Sequence, residues 1–224
     1  MNNLRIQSEA FSLRSIKKTT NEDRFEDHCF FSTHKIYRYI VVDGMTQPGD
    51  GDLAANNLKR WLSIDEIDLR KVMIYANDQF GRWRSGLRNS PGAVATVLQL
   101  DLHRRTWEYA QWGDTCLWYK SKDGNRRRSK EQVDKKGNPY SFGIPRQYFE
   151  FEYKEKEIFQ DGDCFLLCSD GILKIISDSI ELFRYFSEKS LATSKQNLQS
   201  FCEGRNTDDA TAIMIKVYRD EIAS

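Results

Sequence analysis

Tyr39-Ile40-Val41-Val42-Asp43-Gly44-Met45 is the stretch on which the reading of this chain turns. Lys35 to Val42 is rich in Tyr, Ile and Val, residues that suit a pleated and buried surface, and Asp43-Gly44 reads as the turn that ends the strand. A second run follows the same pattern: Cys164-Phe165-Leu166-Leu167-Cys168-Ser169 is apolar enough for a buried strand and leads into Asp170-Gly171. A carboxylate just past a buried strand is held by a rigid element, yet it projects into the cleft where the sheet stops. The glycine after it lets the backbone turn and leaves its carbonyl open as an oxygen ligand.

Around these strands the periodicity alternates between helix and sheet. Ala54, Leu58, Trp61 and Leu62 form a helical stripe, and Leu69, Val72, Met73, Ala76 and Phe80 form another. Ser63 and Glu66, in capping-box spacing, predict the start of that second helix. After Pro91-Gly92 strand chemistry returns in Ala93 to Leu102 and Thr106 to Tyr119, joined as a hairpin by His103 to Arg105. Tyr148 to Tyr153 and Cys164 to Ser169 read as further strands. Two helical patterns follow, on Ile180, Phe183 and Phe186, then on Leu198, Phe201 and Cys202, the latter stopped by Gly204. Ala210 to Tyr218 is the last strand. Like elements are grouped rather than alternating, which predicts an α+β fold of antiparallel sheets with helices on their outer faces.

The chain has 224 residues, 39% hydrophobic and 30% charged, with 34 basic and 33 acidic side chains. This length suits one domain, 1–224, with a sizeable core. The basic segment 120–139 inside it, in which Lys120 to Lys136 holds eight basic and three acidic residues, reads as an exposed loop. A net charge of +1 argues against a nucleic-acid or membrane-surface binder. The absence of a long apolar run and of a signal-peptide core predicts a cytoplasmic location. Cys29, Cys116, Cys164, Cys168 and Cys202 contain no C-x-x-C pair, and His28, His34 and His103 lack metal-ligand spacing, so zinc and nucleophilic Cys-His or Ser-His chemistry is disfavoured.

What remains is carboxylate chemistry. Glu22-Asp23, Asp43-Gly44, Asp170-Gly171 and Asp208-Asp209 all stand near strand ends. If they converge, they make a hard, all-oxygen site suited to Mg²⁺ or Mn²⁺. Two ions about 3.5–4 Å apart could hold a water between them, lower its pKa and direct it at phosphorus, the chemistry of metal-assisted phosphate ester hydrolysis.

In order along the chain, Asn21-Glu22-Asp23-Arg24-Phe25, Val41-Val42-Asp43-Gly44-Met45, Gly92-Ala93-Val94-Ala95-Thr96, Trp112-Gly113-Asp114-Thr115, Leu167-Cys168-Ser169-Asp170-Gly171 and Asp208-Asp209-Ala210-Thr211-Ala212-Ile213 resemble the successive motifs of the metal-dependent serine/threonine protein phosphatases of type 2C, especially compact bacterial ones. The resemblance spans about Arg14 to Val217. It implies a four-layer α-β-β-α sandwich, two antiparallel sheets flanked by helix pairs, with a two-metal centre at one end. It implies that Asp43 bridges two ions, that the Gly44 carbonyl and, through water, Glu22 serve the first, and that Asp170 and Asp208 complete the second. Asp114 matches a position that can help hold a third ion, and Asp23 one that orients water from behind the metals. Asp209 falls outside the central pair. A phosphoprotein substrate, a partnering serine/threonine kinase and a monomeric enzyme are implied with it.

Two departures stand out. The family's two glycines after Asp-Gly-Met are replaced by Thr46-Gln47-Pro48, and Gly51-Asp52-Leu53-Ala54-Ala55 resembles the start of the next helix with Asp for the usual Glu. Lys18, four residues before Glu22, stands where the family commonly has a phosphate-binding Arg; it keeps the charge and loses the bidentate fork. Two other readings compete with an active type 2C enzyme. One is a catalytically silent binding or regulatory module on the same fold. The other is a haloacid dehalogenase-type phosphatase with Asp43 as nucleophile, which would require a second Asp at the position of Met45 and a parallel β/α order.

Overall fold

The computed structural model describes residues 4–45, 50–176, 178–187 and 190–219. The Thr46-Gln47-Pro48 departure lies outside them. Ten strands and five helices follow in the order β1 (Leu4–Leu13), β2 (Arg24–Phe31), β3 (Ile36–Met45), α1 (Gly51–Leu62), α2 (Leu69–Ser85), β4 (Gly92–Asp101), β5 (Thr106–Trp112), β6 (Cys116–Lys120), β7 (Arg126–Arg128), β8 (Glu152–Ile158), β9 (Cys164–Cys168), α3 (Asp170–Leu173), α4 (Ser179–Arg184), α5 (Leu191–Cys202) and β10 (Ala210–Arg219). The strands form two five-stranded sheets, ordered β1-β10-β9-β6-β7 and β2-β3-β4-β5-β8. Every pairing is antiparallel. The parallel sheet required by the Asp-nucleophile reading is not the one this chain forms.

Period-two alternation in the central strands explains the layers. In β3, Tyr39 and Val41 face the other sheet, where Leu167, Ile213 and Ile215 meet them. Ile40 and Val42 face the opposite way, onto Ala54, Leu58 and Met73 of α1 and α2. On the other sheet, Leu166, Cys168, Ala212 and Met214 face outward onto Ile172, Leu182, Phe183 and Leu198 of α3, α4 and α5. Both sheets are thus buried on both faces, giving the expected four layers.

One charge sits inside this apolar stack. Arg38 of β3 is fully buried, and its guanidinium donates to Gln99 Oε1 at 3.1 and 2.8 Å and to the carbonyls of Leu62, Ile64 and Glu66. Burial lowers its pKa to about 10, and the donated bonds fasten the α1–α2 connection to the interior strand β3.

Several boundaries differ from the sequence reading. Asp68, not Ser63, caps α2 by accepting from the Arg70 and Lys71 amides; Glu66 instead accepts from the Asp68 amide, and Ser63 ends α1. Thr106 to Tyr119 is not one strand. At Gly113, whose φ of +103° is open to glycine, the chain leaves the second sheet and enters the first as β6. That crossing sets Asp114 at the end of the sandwich. Tyr148 begins no strand: Arg146–Tyr148 is a 3-10 turn after Pro145, Phe149 is buried against α2, and β8 starts at Glu152.

The basic segment is exposed at most positions, and part of it is strand. Arg126–Arg128 pairs with β6 as β7, Arg127 bonds Glu157 at 2.8 Å, and Ser129 is buried. Further along, buried Asn77 of α2 donates to the Ile144 carbonyl at 2.9 Å and accepts from the Gly143 amide at 2.8 Å, which fastens that stretch to α2. Among the described residues no helix is long and apolar enough to cross a membrane.

Candidate metal centre

Where the two sheets end together, a cleft of about 170 Å³ is lined by Lys18, Asp43, Gly44, Asp114, Asp170 and Asp208, with Met45, Val94 and Pro139 at its walls. Each carboxylate arrives from a different element. Asp43 lies within β3, opposite Val94 of β4, rather than in a turn beyond the strand. Asp114 lies at the crossing between sheets. Asp170 opens the short α3 directly after β9, and Asp208 precedes β10.

Glycine is required for the approach of Glu22. A side chain at Gly44 would strike the backbones of Gly51 and Glu22, and one at Gly51 would strike the Glu22 carboxylate. The Gly44 amide donates to the Glu22 carbonyl at 3.2 Å. Glu22 is therefore clasped between β3 and the start of α1 and is largely buried.

Behind the cleft a buried network sets the positions of these groups. Asp209, 1% exposed, accepts from the Ser15 amide at 2.7 Å and the Glu22 amide at 2.8 Å. Asp23 accepts from Ser169 Oγ at 2.7 Å, while Ser169 Oγ accepts from the Thr211 amide at 3.0 Å. Sequence reasoning gave Asp209 no role; the sole available signal was the doublet Asp208-Asp209, which does not say which carboxylate faces inward.

Two ammonium groups lie among the carboxylates. Lys18 Nζ is 2.8 Å from Asp208 Oδ1, 3.0 Å from Glu22 Oε2 and 3.2 Å from Asp209 Oδ2. Lys174 Nζ, absent from the sequence reading, is 2.7 Å from Asp170 Oδ2 and 2.6 Å from Asp208 Oδ2. Burial by itself would lower both lysines, but hydrogen bonds and the neighbouring carboxylate charges outweigh it, so both pKa values are raised. Burial likewise works to raise Asp208, and the two ammonium groups outweigh it and lower it.

For Asp43, Asp23 and Asp114 the balance falls the other way. Burial, followed by the charges of Asp23, Asp170, Asp114 and Asp208, holds Asp43 well above the usual carboxylate range. Burial pushes Asp23 up to about 7, with Asp209 and Asp170 adding to it against the hydrogen bonds from Ser169 and Thr211. Burial and the Asp170 charge push Asp114 up to about 6.

Among the described residues no three acidic, histidine or cysteine side chains close on one ion as they stand. The donor set nonetheless fits a hard divalent cation. It is all oxygen, its charge is only partly balanced by two lysines, and Asp23 Oδ1 and Asp170 Oδ1 are buried without a hydrogen-bond partner. The residues placed to hold such a cation are Asp43, Gly44, Glu22, Asp114, Asp170 and Asp208. Asp23 stands one layer behind them.

A double antiparallel sandwich with helices outside and this cleft at its end has the architecture of the type 2C, or PPM, serine/threonine phosphatases. The family model for Stage II sporulation protein E (SpoIIE) matches residues 55–218, and the chain belongs to that family. Solved structures share the fold at low identity. The catalytic domain of the serine/threonine protein phosphatase PstP in complex with two manganese ions is 17% identical with a TM-score of 0.78, over 96% of this chain and 100% of that one. PppA of Pseudomonas aeruginosa is 19% identical with a TM-score of 0.76, over 95% and 98%. RsbX in complex with magnesium is 16% identical with a TM-score of 0.75, over 97% and 100%. No curated protein matches the sequence.

Proposed function

We propose that this chain is a Mn²⁺- or Mg²⁺-dependent phosphoprotein phosphatase that hydrolyses phosphoserine and phosphothreonine esters. The observation that carries the reading is the meeting of Asp43, Asp114, Asp170 and Asp208, from four separate motifs, in one cleft beside Lys18. Asp43, the Gly44 carbonyl and, through water, Glu22 would hold one ion, Asp43, Asp170 and Asp208 the other, and Asp114 with Asp170 a weaker third. Two such ions, when bound, supply an activated water and neutralise phosphoryl oxygens.

The chain's own groups do the rest. Asp23, held by Ser169, is placed to orient water from behind the ligands. Lys18 is placed to share its charge with an incoming phosphate, a point charge rather than a fork. The substrate is a phosphoprotein opposed to a serine/threonine kinase, and we place the enzyme in the cytoplasm as a monomer.

One observation favours the silent-module reading: the two lysines already satisfy oxygens of Glu22, Asp170 and Asp208. Turnover separates the two. Hydrolysis of p-nitrophenyl phosphate and a phosphothreonine peptide is expected with Mn²⁺ or Mg²⁺, to vanish with excess chelator, and to leave no acid-stable phosphoenzyme. No turnover with either metal would establish the silent module, and labelled phosphate on Asp43 would refute the water-attack mechanism.

A further inference from the structure

Cations are distributed unevenly in the cleft. Asp170 and Asp208 share the Lys174 ammonium at 2.7 and 2.6 Å, the lengths of charge-assisted hydrogen bonds, and Asp208 receives Lys18 on its other oxygen. No ion pair to Asp43 or Asp114 is present among the described residues. Lys174 is also placed by the chain rather than by chance. It follows α3 directly, its amide donates to the Asp170 carbonyl at 2.8 Å, and the i,i+4 spacing puts its side chain on the same face as Asp170.

We propose that Lys174 is a resident counter-ion of the Asp170–Asp208 subsite, which an entering divalent cation must displace, so that Lys174 sets the affinity of that subsite and makes the two principal ions bind unequally. The inference rests on the metal-dependent reading above and deepens it. An ammonium donating to both carboxylates occupies the oxygen lone pairs that a second ion would use. A monovalent group neutralises the pair less completely than a divalent one, so displacement remains favourable at sufficient metal. The route is open: the Lys174 side chain is 48% exposed, and its flexible stem can carry the ammonium outward to water. Meanwhile Asp170 keeps its other oxygen buried and unpartnered, a donor already aimed inward. The lysine also keeps the cleft tolerable without metal, because two neighbouring carboxylates with no cation would repel.

Lys174→Met removes the charge at similar length, Lys174→Gln keeps a donor without charge, and Lys174→Arg keeps the charge. Titration calorimetry of Mn²⁺ into metal-stripped protein should show one tighter and one weaker ion in the wild type. Lys174→Met and Lys174→Gln should tighten the weaker ion by roughly ten- to a hundredfold, the worth of a displaced charge-assisted contact, and Lys174→Arg should not. In chelator the neutral variants should melt below wild type, and Mn²⁺ should raise their melting temperature by more. If Lys174→Met does not fold, Lys174→Gln decides alone. Two ions bound by wild type and neutral variants with the same constants would overturn the counter-ion role while leaving the metal-dependent reading intact. Tightening by Lys174→Arg equal to that by Lys174→Gln would overturn it too. Absence of Mn²⁺ binding in wild type and variants alike would overturn both.

Discussion

Asp208 and Asp209 are adjacent in sequence, but Asp208 lines the cleft and Asp209 is buried behind it, so their substitutions should fail in opposite ways. Asp209 is 1% exposed and accepts the Ser15 and Glu22 amides at 2.7 and 2.8 Å. A hydrogen bond to a charged group contributes about 1.5–3 kcal/mol, and a buried donor left unpaired costs a similar amount. Asp209→Ala strips both amides at once, a loss of about 3–5 kcal/mol, against roughly 5–15 kcal/mol of total stability for a domain. Asp209→Asn keeps one carbonyl acceptor but turns an amide donor toward the other N–H. Part of that loss is offset because the Asp209 charge no longer opposes Asp23, so about 2 kcal/mol is expected.

Asp208, by contrast, is 30% exposed, and its partners are two lysines within reach of water. Its replacement by Asn should cost about 1 kcal/mol or less in stability. Turnover, however, should fall by orders of magnitude. Urea unfolding in chelator measures the first effect and Mn²⁺-dependent hydrolysis the second. Asp209→Asn as stable as wild type, or Asp208→Asn as destabilised as Asp209→Ala, would refute the assignment of the doublet.

Asp43→Asn should abolish turnover, and Asp114→Asn should reduce it far less, because only Asp43 is assigned to both principal ions; equal loss in steady-state assays would contradict that. Lys18→Ala should raise KM for phosphate esters and weaken inhibition by inorganic phosphate, whereas exposed Lys17→Ala should behave as wild type. In metal-free protein, Asp23 and Asp114 hold their protons more tightly folded than unfolded. Their contribution to stability should therefore be fully present below about pH 4 and be lost as pH rises through about 6 and about 7; saturating Mn²⁺ should flatten that part of the profile, as urea melts would show. Trypsin should cut the exposed turn at Lys135 and Lys136 before the paired Arg126–Arg128, read by mass spectrometry of early fragments.

The strands that the sequence announces most clearly are the central ones. β3, β9 and β10 are buried on both faces, so their runs are apolar at nearly every position. The four that it leaves out, leaves unbounded or misplaces are β1, β7, β2 and β8, and these are the four edges of the two sheets. An edge strand has one neighbour and a wet face, so Glu152-Tyr153-Lys154-Glu155-Lys156 and Arg126-Arg127-Arg128 carry charge where a periodicity argument needs apolar residues. The same physics hid the break at Gly113, since both flanking strands are buried and nothing but the φ of one glycine marks the change of sheet. In the site, Asp43 and Asp170 stood out because Asp-Gly after an apolar run is a local signal, whereas Asp114 and Asp208 were singled out by the order of the motifs that the chain resembles. Asp209 and Lys174 were not: their tasks depend on which backbone amides and which carboxylates lie nearby in space, and no local pattern encodes that.

The placement of the carboxylates explains why a divalent ion would matter to the fold as well as to chemistry. Asp43 belongs to the sheet built on β3, whereas Asp170 and Asp208 follow β9 and precede β10 in the other. Lys174 joins Asp170 to Asp208, both on the same side of that divide. Lys18 joins Asp208 and Asp209 to Glu22, which lies in the connection leading into β2. The lysines therefore settle the charges on one sheet and its adjoining linker, and Asp43 is left facing them across the cleft with its proton held tightly. A cation shared by Asp43 and Asp170 would add a polar tie at this end running from strand β3 to the opposite sheet. Binding to the folded state alone would then add about 2.7 kcal/mol at a hundredfold excess over Kd. Because that tie passes through Asp43, Asp43→Asn should remove most of the Mn²⁺-induced rise in melting temperature, whereas Lys174→Gln should enlarge it.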